Sequence, residues 1–182
     1  MDDKLIWSLA AVALLVIMFF FNRKVRLFSL IKEQMMIFKN GKTKKLSLWD
    51  YVCFFAFPIT VAIILVYKLN FIIDDSLANL LTTVFSIVFT VLFGFAAIMI
   101  SKIDSQNRIE KQVAEETFVS IVSTTILSLV SAMLSIVLTQ VGSEVCLKII
   151  SASILFLSLI IIIMLTLMVI KRTFFLYVKH KK

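Results

Sequence analysis

Residues 77–100 read LANLLTTVFSIVFTVLFGFAAIMI, twenty-four positions without one charged side chain. A helix rises 1.5 Å per residue, so this run is about 36 Å long and can cross a hydrocarbon core of roughly 30 Å. Lipid offers no partner to a bare N–H or C=O, and the run lacks the alternation of a barrel strand, so it must be helical. Four further stretches share its character: 5–21, 51–67, 118–139 and 149–170. The expected fold is an all-α integral membrane protein, a bundle of five transmembrane helices, or four if 5–21 does not span. That first stretch is the shortest, at about 26 Å, and crosses only a thin bilayer without tilt.

Composition agrees. The chain of 182 residues is 61% hydrophobic and 16% charged, where soluble domains hold about 45–50% and 25%. With three Gly, one Pro and no long polar tract, residues 1–182 read as a single membrane domain. The leader Met1-Asp2-Asp3-Lys4 is not basic, and Phe19-Phe20-Phe21-Asn22 is no small-residue cleavage site. The first stretch is therefore expected to remain as an anchor rather than leave as a signal.

Lys and Arg set the orientation. Arg23, Lys24, Arg26, Lys32, Lys39, Lys42, Lys44 and Lys45 crowd the loop 22–50; Lys102, Arg108 and Lys111 lie in 101–117; Lys171, Arg172, Lys179, Lys181 and Lys182 follow the last span. Five spans put these sixteen on one side, against Lys4, Lys68 and Lys148 on the other. The basic side should be cytoplasmic, with the N-terminus out and the C-terminus in. That inner surface suits anionic lipid or an acidic protein partner; direct nucleic-acid binding is disfavoured.

Within the inner loop, Leu27, Phe28, Ile31, Met35 and Phe38 recur at helical spacing, with Arg26, Lys32, Glu33 and Gln34 largely off that stripe. The pattern is a basic amphipathic helix for the headgroup region or for a protein groove. Ser47-Leu48-Trp49-Asp50 has the spacing of a capping box and opens the second span near Leu48. Pro58 removes a backbone donor there and should kink that helix.

Two stripes of small and hydroxyl side chains carry the most specific pattern. Thr83, Ser86, Thr90, Gly94, Ala97 and Ser101 are spaced 3, 4, 4, 3 and 4, and Thr117, Ser120, Thr124, Ser128, Ser131 and Ser135 repeat that spacing one helix later. Such narrow faces let backbones approach and offer interhelical hydrogen bonds of about 0.6 kcal/mol each, so they are the expected packing or oligomer seam. The second use for them is as the lining of an assembled pore, although selective pores usually add charged rings or carbonyl filters, and neither is written here.

No span carries Asp, Glu, Lys, Arg or His at its middle, which argues against ion-driven transport. His180 is the only histidine, leaving a metal site or a Ser-His dyad without a second member. No catalytic residue, metal or cofactor is expected. Cys53 and Cys146 fall at opposite ends of the membrane and cannot pair within one chain.

Trp49-Asp50-Tyr51, the apolar run to Pro58-Ile59, a short acidic outer loop and the span from Thr82 to Ile100 resemble the small multi-pass membrane proteins of bacterial anti-phage defence operons, such as the membrane subunits of Kiwa systems. The resemblance covers mainly residues 47–101. It implies a homo-oligomeric inner-membrane protein that senses events at the envelope and docks a cytoplasmic partner. The expected function is thus that of a non-enzymatic sensor or scaffold; a holin-like pore-forming effector and a passive small-molecule carrier are the alternatives.

Overall fold

The computed structural model describes residues 52–103 and 108–165, together with the helical positions Ala10 and Leu14. Among the described residues all regular structure is helical, with no strand. Helix α1 (Phe57–Ile63) is flanked by π-helical turns at Val52–Ala56 and Ile64–Lys68. Then come α2 (Asp75–Ile103), α3 (Arg108–Leu138) and α4 (Glu144–Ile163). Among the described residues three helices are long and apolar enough to cross a membrane, over Asp75–Ile100, Thr117–Leu138 and Glu144–Ile163. The apolar helix Phe57–Lys68 is shorter. Of the five expected spans, the third to fifth have their helices, the second is a shorter one, and 5–21 lies outside the described residues apart from Ala10 and Leu14. The capping box at Ser47 and the amphipathic stretch 25–38 also lie outside them.

Local chemistry sets the ends. Asp74 caps α2, its Oδ1 accepting the Leu77 N–H at 2.9 Å, and Asp75 puts a carboxylate in the first turn, where the helix dipole favours it. α4 starts at Glu144, five residues before the run expected at 149, because Glu144 and Lys148 neutralise each other one turn apart at 2.7 Å. Charge there belongs to the helix rather than bounding it. Most of 101–117, read as a loop, is helical too. α2 and α3 hold 29 and 31 residues, about 43 and 46 Å, so both outrun a 30 Å core.

Chain order is not spatial order. α3 packs against α2 and α4, while α1 and its flanks pack against α4, giving the sequence α1, α4, α3, α2 across the bundle. The connector 69–74 therefore has to pass over α4 on its way from α1 to α2. It is fixed there: Ile73 is 2% exposed, and its N–H donates to Ser151 Oγ of α4 at 3.3 Å. This end of the bundle, which also holds residues 139–143, is called the top; the Ile103 and Arg108 ends form the bottom. A core of Ile73, Ala78, Phe85, Ala132, Leu138, Ile154 and Ile161 ties α2, α3, α4 and the connector together. Near the bottom, Phe55 packs against Ile160 and Met164.

Pro58 changes winding rather than merely bending a helix. It sits in the first turn of α1, just past the π turn Val52–Ala56. A proline ring clashes with the carbonyl four residues back, and a π turn, closing on the residue five back, makes room for it. Pro58, Ala62 and Val66 are buried, a seam recurring every fourth residue. Uniform α winding, at 3.6 residues per turn, drifts off such a seam, whereas interleaved wider turns hold it.

Candidate functional site

The two hydroxyl stripes have opposite fates. On α3, Thr117, Ser120, Thr124, Ser128, Ser131 and Ser135 are all 0% exposed, and Thr125 and Ala132 are buried beside them. On α2, Thr83, Ser86, Thr90, Gly94 and Ala97 are exposed; the side chain of Ser101 lies outside the described residues. The buried face of α2 is a different one, carrying Ala78, Phe85 and Leu92. Within one chain, then, the stripes do not face each other. The hydroxyl stripe of α3 is buried where that helix lies between α2 and α4, and small side chains there let helices approach closely and gain dispersion energy.

A hydroxyl inside such an interface needs a partner, and these find it on their own helix. Thr124 donates to the Ser120 carbonyl, Thr125 to Ile121, Ser128 to Thr125, Ser131 to Leu127 and Ser135 to Ser131, all at 2.8–2.9 Å. The interhelical bonds expected of them are therefore not what these five donors make. On α2, Thr83, Ser86 and Thr90 do the same, donating to the carbonyls of Asn79, Thr82 and Ser86. Donors satisfied in this way can face lipid or a neighbouring helix without a lost hydrogen bond.

Gly94 marks the middle of the bare stripe. A Cβ built there would meet nothing within 4 Å among the described residues, so no described helix uses the approach that glycine permits. Around it, Ile87, Val91, Phe93, Phe95 and Ile98 are all at least half exposed. The face thus carries small side chains beside large exposed apolar ones.

Ser151 is a hydroxyl that the stripes did not reveal. It is fully buried and accepts the connector's Ile73 N–H, a long-range bond with no periodic signature in the sequence. Asp74 and Asn70 are likewise structural: the first caps α2, and the second takes φ = 50°, a left-handed conformation that asparagine tolerates.

No group of three or more His, Cys, Asp or Glu that could hold a metal occurs among the described residues. Cys146 is a free, partly buried thiol. The basic residues Arg23, Lys24, Arg26, Lys32, Lys39, Lys42, Lys44, Lys45, Lys171 and Arg172 lie outside the described residues. No family model, curated protein or solved structure matches the chain.

Proposed function

We propose that this chain is a non-enzymatic subunit of a bacterial inner membrane that assembles with copies of itself through α2 and docks a cytoplasmic protein at its basic face, as a sensor or scaffold. Anti-phage defence is the setting that the resemblance to Kiwa-type membrane subunits suggests. One observation carries the reading: α3 buries its hydroxyl stripe inside the subunit, while α2 leaves an equally spaced stripe uncovered, with its donors satisfied and open space at Gly94. Satisfied hydroxyls and a glycine lower the cost of bringing two helix backbones together in lipid. The long α2 and α3 helices reach past the core at the bottom, the side on which the positive-inside rule puts the cytoplasm.

Cross-linking in native membranes tests it. In a chain carrying Cys53→Ala and Cys146→Ala, Thr90→Cys should form disulfide-linked dimers under mild oxidation, whereas Val84→Cys, off the stripe, should not. Equal yields at both positions would contradict the reading. Purified protein in dye-loaded liposomes should hold the dye, because the α3 hydroxyls are enclosed within each subunit; rapid leak would favour the pore instead. In a phage-sensitive host, expression together with the cytoplasmic protein that copurifies with the chain should lower plaque counts, and unchanged counts would remove the defence setting.

A further inference from the structure

The π turn at the top of α1 is held by a bond that ordinary α winding would displace. In an α-helix the Leu69 N–H would close on the carbonyl of Leu65, four residues back. Here it closes on Ile64 at 3.1 Å, and the Leu65 carbonyl receives the N–H of Phe71 at 3.0 Å. Phe71 reaches back because Asn70 turns the chain through left-handed backbone at φ = 50°, a conformation open to Asn and Gly but resisted by β-branched residues. Two windings thus compete for one carbonyl, and the conformation of Asn70 decides between them.

Little below that turn opposes a change. Pro58 has no N–H to lose in either winding. α1 touches the bundle through the narrow seam of Pro58, Ala62 and Val66, while Phe57, Ile59, Val61, Ile63 and Ile64 are exposed. Turning those side chains exchanges one apolar surrounding for another. The connector above cannot turn with them, because Ile73 is tied to Ser151 of α4.

We propose that α1 is a two-state winding element latched by Asn70. When the latch opens, Ile64–Lys68 rewinds as α-helix, and the extra residue held by the π turn passes downward. The seam then moves by one residue, from Pro58 and Ala62 to Ile59 and Ile63, and the Val52–Ala56 end rotates by about 100° against α4. Ile59 and Ile63 are larger than the residues they replace, so the rewound helix stands farther from α4 and the π form is the resting state. A change in the top connector is thereby conveyed to the segment preceding Val52. The device does not depend on self-association through α2, and its failure would leave that reading standing.

Disulfide mapping tests it in the full chain carrying Cys53→Ala and Cys146→Ala. Phe55 packs near Ile160 and Met164, so the turns of α4 above them face Ala62. Ala62→Cys and Ile63→Cys are each paired in turn with Ser153→Cys, Phe156→Cys or Leu157→Cys, and cross-linking yields are read in membranes. With Asn70 present, Ala62→Cys should give the higher yield. Asn70→Val should lower the yield at Ala62→Cys relative to Ile63→Cys by about tenfold, the scale of a left-handed penalty on a β-branched residue. Asn70→Gly should keep the original pattern. If Asn70→Val does not accumulate, Asn70→Thr replaces it with the same expected shift. Identical patterns with Asn, Gly and the β-branched residue would overturn the proposal.

Discussion

At the scale of single residues, the structure turns on where polar groups find partners in a lipid solvent. Ser151 is the clearest case. Its hydroxyl is the acceptor for a buried N–H in a connector that crosses another helix, and removing it leaves Ile73 unsatisfied. Ser151→Ala should cost about 1–3 kcal/mol, measured by reversible unfolding in mixed SDS and dodecyl maltoside micelles; a change within error would show that the connector is held by apolar packing alone. Asp74→Ala should cost about 1 kcal/mol in the same assay through loss of the α2 cap. Neither role was legible in the sequence. Ser151 belongs to no repeat, and Asp74 read as a polar point of a short loop, because a connector's path over α4 is decided by helix order, which no local pattern records.

At the scale of helices, α3 turns its small hydroxyl residues inward. Because Ser128 donates to its own helix, its hydroxyl adds little between helices, and Ser128→Ala should change stability by less than about 1 kcal/mol. Ser128→Leu should cost about 1–3 kcal/mol, since Ser128 is fully buried and a branched side chain would overpack its site. The opposite ranking in denaturation experiments would make hydrogen bonding, rather than close approach, the reason for serine. The spans themselves were readable because lipid imposes one solution on any long uncharged run. Helix starts were less so: Lys148 looked like a boundary, yet its pairing with Glu144 carries α4 past it. The π turns around Pro58 left only one visible sign, the proline, because winding depends on Asn70 and Phe71 at a distance.

At the scale of the whole molecule, the two stripes share one spacing but not one fate, and sequence could not separate them. Which face turns inward depends on the neighbours each helix acquires: α3 lies between α2 and α4, while α2 lies at the edge with α3 as its main partner among the described helices. An edge helix with small residues on its bare side is where a further subunit adds least strain. Val84→Leu enlarges an exposed side chain off the stripe, Ile98→Leu reshapes one beside it at constant volume, and both serve as controls. Gly94→Leu fills the open space of the stripe, and with nothing within 4 Å among the described residues it should leave subunit stability unchanged apart from the helix propensity it gains. Counting subunits by single-molecule photobleaching in native-lipid nanodiscs tests assembly through α2 most directly. The unaltered chain and both controls should be multimers and Gly94→Leu a monomer; a Gly94→Leu chain with the full subunit count would rule out assembly through α2.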